Sequence, residues 1–297
     1  MRILVIKLGA LGDVVLAFQP FADIRAHHPG AAITLLTTAP FAGLMAGAPW
    51  FDRVVVDARP RWWDLAGVLR LRRQLRGYDR VYDLQTSGRS SRYFRLAGRP
   101  AWSGIAAGAS LPHANPGRDA MHTVERQREQ LAMAGVPGGA VAALDWLRGE
   151  TAVTGPYALL VPGAAPHRPG KRWPAERFGA LAAGLWARGL RPVAVGGASE
   201  RPLARAMQAV CPAVLDLTGG TTLRELAGLA AGAALAVGND TGPMHLAAAM
   251  GCRGVVLFGS ESDPALTAPR GRMAVLRVAA LADLPVERVA AALPEAH

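Results

Sequence analysis

The chain is short of cysteine and almost without lysine. Cys211 and Cys252 are its two cysteines in 297 residues. Both sit in apolar contexts without CxxC or metal-ligand spacing, which argues against a disulfide framework or a zinc site and reads as two reduced, buried thiols. Of 33 basic residues, only Lys7 and Lys171 are lysine. An ammonium is a compact point charge and a guanidinium a flat fork, so two lysines kept against that bias single out their positions. Aromatic residues make up 6%, with no zinc finger, RNA-recognition signature or aromatic-interleaved basic stripe, so nucleic acid is a poor partner. No apolar run reaches the length of a membrane span; "ALAAGLWARGL" is broken by Gly and Arg. The opening "MRILVIKLGALGDVV" lacks a long apolar core and a small-residue cleavage site. It reads as a first buried strand, with a cytoplasmic location as the expectation.

What is present describes a globular protein. Hydrophobic residues are 51% and charged residues 19%, and the length suits two domains of roughly 150 residues each. Net charge is +11, unevenly spread. Up to Glu150 there are 19 basic and 12 acidic residues; beyond it there are 14 and 10. The excess in the first half points to an anionic partner there, either an acidic substrate or a membrane surface.

Short apolar runs alternate with amphipathic segments, the pattern of parallel sheets covered by helices. In the first half the spacing predicts strands at Arg2–Ile6, Ala32–Leu36, Arg53–Val56 and Arg80–Leu84, with a weaker one near Trp102–Ile105. Helices are predicted over Asp13–Ala26, Trp62–Leu75 and Val124–Ala134. "RGETAVTGP", Arg148–Pro156, carries turn residues without a period and reads as a linker between domains 1–150 and 151–297. The pattern then restarts with strands at Tyr157–Val161, Arg191–Val195, Leu215–Leu217, Ala234–Val237 and Gly254–Phe258. Their helices are Pro174–Arg188, Glu200–Val210, Leu223–Ala231, Gly242–Met250 and a last one at Val286–Leu293, left free to pack back on the first half. The expected fold class is α/β: two Rossmann-like, doubly wound domains facing across a cleft, with ligands at the carboxyl ends of the strands.

Four polar clusters fall at such strand ends. In "IKLGALGDVV" a strand ends near Lys7, Gly9 and Gly12 allow a turn, and Asp13 opens a helix. Asp13 is either a helix cap or a carboxylate able to take a proton from a hydroxyl. The spacing is not GxGxxG and no ribose-binding acid follows, so a nicotinamide dehydrogenase is disfavoured. In "PGAAPHRPGKRWP", Lys171 and Arg172 precede Pro174 and a helix start. Cations there oppose the helix dipole unless an anion is shared between them and the helix amides; a solvated basic loop is the alternative. In "VGGASE", Glu200 is either a helix-start charge or an acceptor of sugar-hydroxyl hydrogen bonds. In "VGNDTGPMHLAAAMG", Asp240 or Thr241 caps a helix whose first amides, with Gly242, offer an anion site. His245 lies one turn in, on the same face. A pyrophosphate would use these groups together.

These stretches, in this order, resemble the ADP-heptose:lipopolysaccharide heptosyltransferases, glycosyltransferase family 9. "ILVIKLGALGDVVLAFQP", "PGAAPHRPGKRWPAERF", "GGASE", "GNDTGPMHLAAA" and "VVLFG" carry the resemblance over nearly the whole chain. It implies the GT-B fold and a metal-independent inverting transfer, with an acceptor-binding first domain and a nucleotide-sugar-binding second domain. It implies no cofactor beyond the donor substrate, an ADP-sugar with ADP-heptose foremost. The acceptor would be an anionic lipopolysaccharide-core or related glycan, and the setting the cytoplasmic side of the inner membrane, with peripheral contact. By motif, Asp13 would be the base and Lys171 would neutralise the leaving ADP. Glu200, Asp240, Thr241, Gly242 and His245 would hold the donor. Lys7 would shape the acceptor side, and Arg59 and Arg61 of "ARPRWW" would meet acceptor charge. After "LFG" the family continues G-P-T-D-P, whereas this chain has "SESDP" from Ser260, which leaves the donor sugar open. Two alternatives stand beside the main reading: the same fold with another nucleotide sugar or acceptor, and an inactive nucleotide-binding scaffold.

Overall fold

The computed structural model describes residues 1–149, 153–165 and 167–294. Of the expected linker, residues 150–152 lie outside the described residues, as does Pro166 in the loop before Lys171. The chain divides into two compact units, Met1–Trp146 and Leu147–His297. The first runs β1 (Arg2–Ile6), α1 (Leu11–Val15), α2 (Phe18–His27), β2 (Ala32–Thr37), α3 (Ala39–Met45) and β3 (Arg53–Val56). It continues α4 (Leu65–Leu75), β4 (Arg80–Asp83), α5 (Gly88–Leu96), β5 (Ala101–Gly104), β6 (Leu111–Pro112) and α6 (Thr123–Met133). The second runs β7 (Tyr157–Val161), α7 (Ala175–Ala187), β8 (Arg191–Ala194), α8 (Arg201–Val210), β9 (Leu215–Asp216) and α9 (Leu223–Gly232). It closes with β10 (Leu235–Asn239), α10 (Gly242–Ala249), β11 (Gly254–Phe258), α11 (Pro264–Thr267), β12 (Met273–Arg277) and α12 (Val286–Ala291).

Each unit builds one six-stranded sheet, in the orders β3-β2-β1-β4-β5-β6 and β12-β11-β10-β7-β8-β9. All strand pairs are parallel. Counted from its own first strand, each sheet has the Rossmann order 3-2-1-4-5-6, reversing between β1 and β4 and again between β7 and β10. A parallel sheet with helices on both faces buries its central strands entirely, which explains their unbroken apolar runs. Ile3–Ile6 are 0% exposed, and β7, β10 and β11 are buried at every position. In the first unit Leu4 and Ile6 pack with Leu71, Leu75, Tyr93 and Trp102. In the second, Leu160, Val237 and Leu257 pack with Trp173, Phe178 and Met207. The last helix seats Val289 in this second core.

Three departures from the expected elements have physical causes. The helix expected over Asp13–Ala26 is two helices, because Pro20 has no N–H for the carbonyl of Leu16. The chain turns at residues 16–17 and restarts with Pro20 in its first turn. Helix α5, "GRSSRYFRL", hides its apolar stripe in Tyr93 and Phe94 and is started by Ser87, whose hydroxyl accepts from the Ser90 amide. Strand β12, "MAVLR", is an addition to the expected strands: apolar in sequence, it folds as a mostly exposed edge strand. Helices α3 and α11 are likewise additions to the expected pattern.

Candidate active site

The charged residues singled out above, Arg61 excepted, collect where each sheet reverses its order. In the first unit, β1 delivers Lys7 and the loop to α1. Gly9 holds φ +124°, and a Cβ there would come within 2.5 Å of the Phe41 ring, so no larger residue fits. That loop is clamped on three sides. The Leu8 amide donates to Gln85 Oε1 at 2.8 Å, and the Leu8 carbonyl accepts from Thr38 Oγ1 at 3.0 Å and Arg59 Nη2 at 3.1 Å. Asp13, in the first turn of α1, is half-buried and accepts from the Ala10 amide at 3.1 Å.

Lys7 lies beneath this loop, 4% exposed, with Nζ donating to the Leu84 carbonyl at 3.0 Å. Burial pulls its pKa below the usual lysine value, against the pull of Asp13 and Asp83. Asp83, at the end of β4, is fully buried and its carboxyl is pushed up to about 6, again by burial. The amides of Gln85 and Thr86 donate to its Oδ1. Arg118 donates through Nη2 to Thr86 Oγ1 at 3.1 Å and pairs with Asp119 at 2.8 Å, while Arg126 adds its charge beside Lys7. Asp83, Gln85, Arg118 and Arg126 were not singled out from the sequence. The polar run "DLQTSG" at the end of β4 is the signal that would have found the first two, by the same strand-end rule.

The residues expected on the acceptor side are thus distributed unevenly. Lys7 supports the loop from below, and Arg59, with φ +50°, turns its guanidinium onto the Leu8 carbonyl. Arg61 is not brought to them; it is exposed and lies over the Trp63 ring at 5.2 Å.

In the second unit the switch point is more direct. Asn239, at the end of β10, is 0% exposed and ties three segments together. Its Oδ1 accepts from the Trp173 amide at 3.0 Å, and its Nδ2 donates to the carbonyls of Pro162 at 2.8 Å and Gly163 at 3.3 Å. Trp173, 1% exposed, packs against Phe178 at 4.8 Å and donates its indole N–H to the Leu284 carbonyl. Anchored on both sides, the segment before Trp173 sets Lys171 Nζ 2.6 Å from Asp240 Oδ2. This corrects one expectation: Lys171 does not serve the start of α7, which begins only at Ala175. It reaches across to Asp240, just before the start of α10. Arg172 turns away to the Ala164 carbonyl.

Thr241 has the extended backbone of a helix cap, but its hydroxyl bonds to the Asn239 carbonyl rather than to a helix amide. Pro243 has no N–H and the Met244 amide bonds back to Thr241, which leaves Thr241 and Gly242 as the helix-start donors. His245 is 6% exposed, with Nε2 3.7 Å from Asp240 Oδ1 and Nδ1 buried without a partner among the described residues. Burial would raise the Asp240 carboxyl, but His245 and Lys171 beside it outweigh that and hold it below the usual range. Glu200, at the start of α8, packs on Gly163 and Gly196 so closely that a side chain at Gly163 would overlap its carboxylate. It accepts from the Gly197 amide at 2.7 Å, and burial raises its pKa. Glu200, Lys171, Asp240, Thr241, Gly242 and His245 therefore converge at the carboxyl ends of β7, β8 and β10. Among the described residues no group of three or more His, Cys, Asp or Glu is placed to hold a metal ion.

Two Rossmann-order units, each with its charges at the switch point, give the chain the α/β architecture of the GT-B proteins. A family model described as glycosyltransferase family 9 (heptosyltransferase) matches residues 68–288, and the chain belongs to that family. It is similar to lipopolysaccharide heptosyltransferase 1 of Salmonella typhimurium, 29% identical over 300 residues covering 92% of each chain. Its similarity to the Pseudomonas aeruginosa enzyme of the same name is 29% over 310 residues, covering 93% of this chain and 83% of that one. Among solved structures, an E. coli heptosyltransferase with ADP superposes with a TM-score of 0.82 at 25% identity over 98% of both chains. E. coli ADP-heptose lipopolysaccharide heptosyltransferase II gives 0.79 at 24% identity over 97% of this chain and 96% of that one.

Proposed function

We propose that the protein transfers heptose from ADP-heptose to an anionic lipopolysaccharide inner-core acceptor with inversion, on the cytoplasmic side of the inner membrane and in peripheral contact with it. The observation that carries this reading is the Lys171–Asp240–His245 group at the start of α10. A carboxylate there repels a diphosphate, so Asp240 acts as the holder of Lys171, aiming its ammonium at the leaving phosphate. The partnerless His245 Nδ1 and the Thr241 and Gly242 amides supply the remaining donors. Glu200 receives hydroxyls of the donor. The relatives support the donor assignment, since one solved neighbour holds ADP and another ADP-2-deoxy-2-fluoro heptose.

In the first unit Asp13 takes the proton of the acceptor hydroxyl as its oxygen attacks the anomeric carbon. The carbon–oxygen bond to ADP breaks, and negative charge grows on the diphosphate. The Gln85, Thr38 and Arg59 clamp fixes the loop that carries Asp13, and Lys7 and Arg59 shape the acceptor side. Arg61 supplies an outer cation.

The second reading, another sugar on the same fold, draws on Glu261, which accepts from the Gly170 amide at 3.1 Å and so brings an acid beside the Lys171 turn. Heat protection and turnover with ADP-heptose, ADP-glucose, UDP-sugars and GDP-sugars separate the two. Protection by ADP and turnover with ADP-heptose on a Kdo–lipid A acceptor are expected. No stabilisation by ADP would sink the reading, and nucleotide binding without any transfer would leave the scaffold.

A further inference from the structure

One surface of the first unit is used by neither the core nor the switch point. Helix α4 buries Gly67, Leu71 and Leu75. Along its other side Leu65 is 72% exposed and Leu69 51%, and Trp63, just before the helix, is 73% exposed. Trp62 beside them is 38% exposed and lies beneath the guanidinium groups of Arg89 and Arg92, at 5.7 and 5.6 Å. Arg70, Arg72 and Arg73 continue the exposed side of the helix. From Ala58 to Arg76 there are six arginines against one acid, Asp64, and no acidic residue stands between Asp83 and Asp119.

Isolated exposed leucines need no explanation, but two tryptophans and two leucines gathered within eight residues and ringed by arginine do. That combination has a definite chemistry. The apolar side chains suit the boundary between headgroups and acyl chains, indole rings prefer that same depth, and arginines pair with phosphate above it. A second copy of the chain is a poor occupant, since it would set one strongly basic patch against another. We propose that this face, Trp62, Trp63, Leu65 and Leu69 with the arginines of α4 and α5, docks the protein on an anionic phospholipid bilayer. From the functional reading the proposal takes only the membrane setting, and it is tested without donor or acceptor, so either can fail alone.

The test is co-sedimentation of the full chain with phosphatidylcholine vesicles, with and without phosphatidylglycerol. Binding is expected only with phosphatidylglycerol and should weaken as salt rises. Arg70→Gln/Arg72→Gln/Arg73→Gln is expected to lower partitioning roughly 100-fold, on the basis of about fivefold per arginine near the surface. Leu65→Ser/Leu69→Ser, at exposed positions, is expected to keep the melting temperature and lower partitioning about tenfold or more. Phospholipids brominated on the acyl chain should quench fluorescence in the parent and much less in Trp62→Ser/Trp63→Ser. Equal binding to both vesicle types would overturn the proposal, as would no binding, or unchanged partitioning of the leucine variant. So would a Leu69-dependent dimer in solution that excludes vesicles.

Discussion

The two units share one strand order and each has its one lysine in the connection that follows its first strand, yet they treat the charge in opposite ways. At the first switch point Lys7 is sealed under the loop, bonded to a carbonyl, and feels Asp13 and Asp83 only through space. At the second, Lys171 is partly exposed and touches the buried Asp240 carboxylate at 2.6 Å, the two side chains being 12% and 6% exposed. A buried lysine bonded to the backbone acts as scaffold and sets a field. A partly exposed lysine so paired can re-pair with an incoming anion. The connection after the first strand thus carries a supporting lysine in one unit and a contacting one in the other.

The largest test of that contrast is Asp13→Ala, which removes the proposed base while costing only one local hydrogen bond, about 1 kcal/mol. Steady-state kinetics should show kcat lower by about 10²–10⁴-fold with the melting temperature nearly unchanged. Full activity would remove the assignment. Next is Lys171→Ala, expected to reduce kcat/KM by about 10²–10³-fold and, by stranding a buried Asp240, to destabilise the fold by about 3 kcal/mol. Adding Asp240→Asn should restore part of the stability and none of the turnover. If the double variant is no more stable than the single, the pair is not coupled as the 2.6 Å contact indicates.

Asn239→Ala sharpens the comparison from the structural side. It leaves the Trp173 amide and the Pro162 carbonyl without their partner, and a loss of about 2 kcal/mol is expected in chemical denaturation, with weaker ADP binding by calorimetry.

In the first unit Asp83 provides a pH signature. Its folded pKa near 6 lies above the ordinary 3.8, so the folded chain holds that proton more tightly than the unfolded one. The associated stability is greatest below pH 4 and is lost as pH rises through about 6, by about 3 kcal/mol. In Asp83→Asn this fall should vanish; an identical pH–stability profile would show that Asp83 titrates normally. The smallest expected effect is Arg61→Ala. An exposed cation over Trp63 should change acceptor KM by roughly two- to fivefold and leave ADP binding alone.

Much of this frame is legible in the residues. The central strands announce themselves because parallel sheets bury both faces, and the second-unit site follows from polar residues placed where a strand ends. What escaped has specific reasons. The break at residues 16–17 is written in Pro20, whose missing N–H outweighs the apolar period around it. Strand β12, "MAVLR", has an apolar run like the buried strands but folds as a mostly exposed edge strand. The partner of Lys171 was misplaced because distance along the chain favours the start of α7, whereas the Asn239 ties to Trp173 and Gly163 carry the lysine to α10. Arg59 reads as a free cation, and only the left-handed backbone of the folded loop turns it onto Leu8.

The scarcity of lysine has a practical side. With Lys7 sealed and Lys171 held by Asp240, every exposed basic side chain fully charged at neutral pH is a guanidinium. A reagent that acylates amines therefore finds no ordinary side-chain target on the surface. Its slow reaction with the two ε-amines, followed by mass spectrometry, becomes a reporter of the sites: shielding at Lys171 reads the donor, and labelling at Lys7 reads the opening of the loop above it.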